Sequence, residues 1–108
     1  MSAYVPDVWV AVRFRGAAVP NGEIHKILAG WYGGFAGSDH WKLNSGITGI
    51  TREDHEFLVE GYSGSIYRCA VGAERTNLLT QGIYQDLCER FRDREVTVEI
   101  VPLSEVCL

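Results

Sequence analysis

Residues 74–101, ERTNLLTQGIYQDLCERFRDREVTVEIV, carry two hydrophobic periods in succession. Leu79, Ile83, Leu87 and Phe91 recur at the spacing of one helix face, widened by Tyr84 and Cys88. Thr76 or Asn77 is placed to cap the start. Arg90, Arg92 and Arg94 sit where a helix dipole favours cations. The spacing predicts a helix over about 74–91. Gly82 interrupts it at a cost of about 1 kcal/mol relative to alanine, which points to a close packing contact there. After the helix the period changes to two. Val96, Val98 and Ile100 fall on one side and Glu95, Thr97 and Glu99 on the other, until Pro102 ends the strand.

Working back towards the N-terminus, Val8–Phe14 alternates Val8, Val10, Val12 and Phe14 with Trp9, Ala11 and Arg13. Both sets are largely apolar, so this reads as an interior strand. Gly16, Pro20, Asn21 and Gly22 mark a turn region. Ile24–Tyr32 fits a helical stripe through Ile24, Ile27, Leu28 and Trp31, yet Gly30 weakens it, and strand and short helix stay open. Gly33–Asp39 is a flexible loop by composition. Trp41–Thr51 reads as one glycine-interrupted strand and Arg52–His55 as a polar turn. Phe57–Tyr62 and Ser65–Val71 read as two strands joined by a tight turn in which Gly64 supplies a positive φ. Strands, one long helix and a last strand define an α+β layout: an antiparallel sheet of about five strands with the helix on one face. The repeated strand–helix alternation of a doubly wound fold is absent.

A chain of 108 residues is expected to form a single domain over residues 1–108. It is long enough to bury about two-thirds of its unfolded surface. The net charge of −4 and pI near 5.3 exclude a nucleic-acid-wrapping role, which needs clustered Lys and Arg. Cys69, Cys88 and Cys107 form no paired-ligand spacing, and His25, His40 and His55 are not paired at helical spacing. No metal or cofactor is therefore expected. Widely spaced, odd-numbered cysteines suit a reduced compartment. No signal peptide, membrane span or prenylation site is visible. The expected setting is cytoplasmic and free of membrane.

Two segments imitate catalytic motifs and fail on context. Gly61-Tyr62-Ser63-Gly64-Ser65 lacks the final glycine of a nucleophile elbow and is flanked by strands on both sides. Gly33–Ser38 lacks the Lys-Ser/Thr of a phosphate-binding loop. His40 paired with Ser63 or Cys69 would give a small hydrolase or transferase if the fold brought them together. No residue is assigned as catalytic.

Between Leu28 and Tyr67 lie eight of the 12 glycines and most of the aromatic residues. Trp31, Tyr32, Trp41, Tyr62 and Tyr67 beside glycine turns, with Glu53, Asp54 and Glu56 in an acidic turn, form a candidate partner-binding set. Trp and Tyr are common interface anchors, and acidic patches steer basic partners. The expected function is a small acidic binding protein acting by protein–protein contact on a basic surface. The alternatives are the small enzyme above and a homo-oligomeric module for a small ligand. Size, acidity and lack of motifs resemble, at the level of a class, the inhibitors that phages and other mobile elements direct against host defences, anti-CRISPR proteins among them. That resemblance implies an inhibitor that occludes its target.

Overall fold

The structure is a computed structural model that describes residues 3–33 and 37–106. Residues 34–36, in the middle of the expected glycine-rich loop, and Cys107 lie outside the described residues. Eight strands occur in the order β1 (Ala3–Tyr4), β2 (Val8–Arg15), β3 (Glu23–Trp31), β4 (His40–Leu43), β5 (Ile47–Arg52), β6 (Glu56–Gly61), β7 (Ile66–Ala70) and β8 (Thr97–Val101). One helix, α1 (Leu78–Arg92), lies between β7 and β8. The class is α+β, with the helix on one face of a sheet. The difference from expectation is in the strands, which form two sheets of four rather than one of about five. The first sheet has the order β4-β3-β2-β8 and the second β1-β7-β6-β5. All pairs are antiparallel except β1 with β7.

The split is made at Asn44–Gly46. Trp41–Thr51, which reads as a single strand in sequence, leaves the first sheet after Leu43 and enters the second at Ile47. Gly46 turns the chain with φ +134°, a region L side chains rarely adopt. Asn44 seals the departure: its N–H donates to Ile27 O at 3.0 Å and its Oδ1 accepts from Ile27 N at 2.8 Å.

β2 pairs with β3 on one side and β8 on the other, so its interior position follows the two-faced apolar pattern. Val10, Val12 and Phe14 pack with Leu28, Val96 and Val98 against Leu87 of the helix. Ile83, Tyr84, Cys88 and Phe91 complete that layer. Trp9 and Ala11 face the other way and pack with Ile27 and Ala29 against Ile47, Val59, Tyr67 and Cys69 of the second sheet. The Trp9 indole also donates from Nε1 to Ala70 O at 2.8 Å, tying the two sheets together. Three layers result: helix, first sheet, second sheet. β3 is buried on both faces like β2, which explains why Ile24–Tyr32 shows no clean period of two.

The helix starts at Leu78 rather than near residue 74, because a capping box sits at Asn77. Asn77 Oδ1 accepts from Thr80 N at 2.8 Å and Thr80 Oγ1 accepts from Asn77 N at 2.9 Å. β8 begins at Thr97, after Glu95 at φ 57°. Ile100, expected inward, lies on an edge strand and is 37% exposed; Val101 is buried instead, in the inter-sheet core. The Gly82 contact inferred from sequence is absent: a Cβ there would meet nothing within 4 Å. Gly30 is the glycine that the close packing of helix on sheet demands. A Cβ on it would lie 2.7 Å from Thr80 Cγ2 and 3.1 Å from Val8 Cγ2.

These two glycines give opposite expectations. Gly82→Ala should raise stability by about 0.5–1 kcal/mol, through helix propensity and a less flexible unfolded chain. Gly30→Ala should lower it by about 1–3 kcal/mol, as overpacking does. Adding Thr80→Ser, which deletes Cγ2 and keeps the hydroxyl cap, should recover part of that loss. Denaturant unfolding of the four chains measures all three effects.

Candidate functional site

The eight expected contact residues fall into four places. Tyr67 is a core residue, 2% exposed, stacked at a tilt on Tyr4 with ring centroids 5.1 Å apart. Burial raises its phenol pKa. It is withdrawn from any surface role because β7 turns that side of the strand into the inter-sheet layer. Tyr62 stands 69% exposed just after β6. Glu53, Asp54 and Glu56 lie at the opposite end of the same strand. Six residues at about 3.3 Å each place the acidic turn and Tyr62 roughly 20 Å apart. Glu56 is occupied: its Oε1 accepts from Arg68 Nε at 2.9 Å. Glu53 and Asp54 are exposed, and among the described residues neither forms an ion pair.

The remaining three, Trp31, Tyr32 and Trp41, gather at the C-terminal end of β3. Register separates the two tryptophans. Trp31 pairs with His40 and faces the second sheet; Trp41 pairs with Gly30, which pairs with Val8, and that row faces the helix. Trp31 is half-buried and stacks flat on His40, centroids 5.1 Å apart and planes 6° from parallel. Its Nε1 donates to Val5 O at 2.9 Å. It is a structural lid over Tyr4 more than a free contact. Trp41 is 41% exposed and Tyr32 52%. The Tyr32 N–H is held by Asp7 Oδ2 at 2.8 Å, and the Gly33 N–H by Asp39 Oδ1 at 3.0 Å.

Leu78 completes this end and was missed by sequence reasoning. As the first helical residue it follows Asn77, whose side chain lies against Gly30, and it is 95% exposed. The signal was present. Leu78 is the apolar residue off the Leu79, Ile83, Leu87 and Phe91 stripe, about 100° round the helix from Leu79. Trp41 pairs with Gly30, Tyr32 lies two residues beyond it, and Leu78 opens the helix whose capped start packs on it; about 200° round the helix from Thr80, the Leu78 side chain points away from the sheet.

His40, Ser63 and Cys69 are not joined by any hydrogen bond. His40 is stacked on Trp31. Ser63 Oγ lies within 3.3 Å of Ser45 Oγ and 3.2 Å of Ser65 Oγ. Cys69 is fully buried between the sheets, and burial pushes its thiol up to about 12, which suppresses the thiolate that nucleophilic chemistry requires. Among the described residues no group of three or more His, Cys, Asp and Glu side chains could hold a metal ion, and no helix is long and apolar enough to cross a membrane.

A second charged cluster covers the part of the first sheet beyond the second sheet. Arg13 donates to Glu99 across β2 and β8, and Arg15 Nε donates to Glu23 Oε1 at 2.9 Å across β2 and β3. His25, 7% exposed, sits opposite Arg13 with its Nε2 3.8 Å from Glu23 Oε2. Burial lowers its pKa, opposed by Glu23 and aided by Arg13 and Arg15.

Compared with protein-family models, with curated proteins and with solved structures, the chain matches none.

The buried imidazole sets a pH dependence. His25 binds its proton less readily folded than unfolded, so below about pH 6.5 the unfolded chain takes up a proton that the native state resists. Stability should fall as the pH drops through that range and level off once the native imidazole also protonates. In chemical unfolding between about pH 8 and pH 5, His25→Gln should flatten this decline; an unchanged decline would assign it to other groups.

Proposed function

We propose that this protein works by binding another protein, with Tyr32, Trp41 and Leu78 as its anchors and without chemistry of its own. The observation that carries this reading is the exposure of Tyr32, Trp41 and Leu78, whose backbones all lie near Gly30 at the C-terminal end of β3. Single exposed apolar residues are ordinary; a Trp, a Tyr and an almost wholly exposed Leu on backbone segments that meet near one glycine are not. Such anchors lose little conformational entropy on docking, because the backbone under each is already fixed. β4, which carries Trp41, pairs only with β3, so its outer edge offers unpaired backbone groups to a partner as well.

The net charge of −4 supports a partner with a basic surface. Glu53 and Asp54 stand on the second sheet, whereas Trp41 lies on the helix side of the first, so the charges act by steering at a distance and not as part of the anchor patch. A motif-free protein of this size acts most simply by occlusion. That is the role of an inhibitor, of the kind that mobile elements carry against host defences.

Removing the anchors should separate binding from folding. Trp41→Ala with Leu78→Ser should weaken capture of the partner by about 30-fold or more, the loss expected at an interface hot spot, while the unfolding midpoint changes little. Tyr62→Ala, at a remote exposed aromatic, should retain capture. Quantitative affinity capture with the parent and both variants as bait tests this. A partner held equally by all three would contradict the reading.

A further inference from the structure

We propose that the cleft between the Asn44–Ser45 turn and the β6–β7 turn binds a tetrahedral oxyanion of the phosphate class. The cleft has a volume of about 340 Å³, and its walls include Tyr4, Lys42, Asn44, Ser45, Ser63 and Ser65. No carboxylate lines it, in a chain with 14 acidic and 10 basic residues. The groups it presents are donors.

Two lysines line the cleft: Lys26, whose ammonium lies 5.7 Å from the Phe14 ring centroid, and Lys42, which supplies the charge beside the serines. The Lys42 ammonium lies 5.2 Å from the Tyr4 ring centroid and makes no ion pair with a carboxylate among the described residues. The three serines supply hydroxyls. Ser45 Oγ accepts from Ser63 N at 2.9 Å, and the Oγ atoms of Ser45, Ser63 and Ser65 follow one another at 3.3 and 3.2 Å. Those hydroxyl contacts are long for O–H···O bonds, so the protons turn outward at little cost.

Asn44 provides the independent observation. It is 4% exposed, and its amide orientation is fixed because Oδ1 must accept the Ile27 N–H. That leaves Nδ2 as a buried donor with no partner, a group that costs about 1–3 kcal/mol when left unsatisfied. Nδ2 and Ser45 Oγ share the space over Gly61: a Cβ at Gly61 would lie 3.3 Å from the first and 3.0 Å from the second. Nδ2 is thus an unpartnered donor in the wall of the cleft, beside the Ser45 hydroxyl, that an oxygen of a bound anion would satisfy. Three serine hydroxyls and Asn44 Nδ2 beside Lys42 match the several oxygens of a tetrahedral anion better than the two of a carboxylate.

The test is an NMR titration of the labelled protein with inorganic phosphate against chloride at matched ionic strength. The expected result is saturable shifts at the Ser45 and Ser63 amides and the Asn44 side-chain NH2, with a millimolar Kd. Lys42→Gln and, separately, Ser63→Ala should each weaken binding by about fivefold to tenfold while spectra away from the cleft superimpose on the parent. A short peptide carrying phosphoserine forms the second arm: tighter binding than phosphate assigns an ester-borne group, and equal or weaker binding assigns the free ion. Shifts that do not saturate, that appear elsewhere on the surface, or that persist unchanged in both variants would overturn the proposal.

Discussion

The structure depends on one strand being apolar on both faces. A half-polar strand needs one cover; β2, with Val10, Val12 and Phe14 on one side and Trp9 and Ala11 on the other, needs two. The helix is one cover and the second sheet the other. Where the second sheet ends, the pattern changes in step. Arg13 takes the place of an apolar residue and meets Glu99, beside His25. Residue size follows the same logic: Ala11 and Ala29, diagonal neighbours on the inter-sheet face, are small where the sheets press together, and Trp9, opposite Ala29, spans the gap to hydrogen-bond with the far layer.

The aromatic end is a consequence of that packing. The capped start of α1 lies over Gly30, and only a residue without Cβ admits Thr80 so closely. Bringing the helix start down onto the sheet puts Asn77, and with it the backbone of Leu78, over the row that pairs Gly30 with Trp41. The two tryptophans of this end divide the work: Trp31 closes the inter-sheet core under His40, and Trp41 faces outward on the helix side. The cleft at the opposite end of β4 is built by the other departure from regular structure, the Asn44–Gly46 crossover from one sheet to the other.

Much of the fold was legible because its signals are local. The helix follows from Leu79, Ile83, Leu87 and Phe91, β2 from its doubled apolar alternation, and the β6–β7 turn from Gly64 at φ 87°. The two-sheet division was not legible, because Asn44 and Gly46 look like an interruption in one strand. The change of sheet depends on Ile27, which lies far away in sequence. β3 was ambiguous for the same reason that β2 was clear: burial on both faces removes the period of two, and here Gly30 replaces the bulky residue that would have restored it. Of the site, composition offered Trp31, Tyr32, Trp41, Tyr62 and Tyr67 as one set, of which Tyr32, Trp41 and Tyr62 are exposed. It could not separate those three from Tyr67 and Trp31, since exposure depends on which strand lies opposite. Nor could it join or part the aromatic and acidic groups, whose distance is set by sheet stacking.

Native-state hydrogen exchange tests the central claim, that one doubly covered strand holds both layers in a single cooperative unit. The amides of β2 from Trp9 to Phe14 should exchange only through global unfolding, and the β6 and β7 amides at Val59, Tyr67 and Cys69 should share that same free energy. The edge residues of β4 and the first turn of α1 should open earlier. A second sheet that loses protection at markedly lower free energy than β2 would contradict the account, because its core would then be separable from the strand on which it is said to depend.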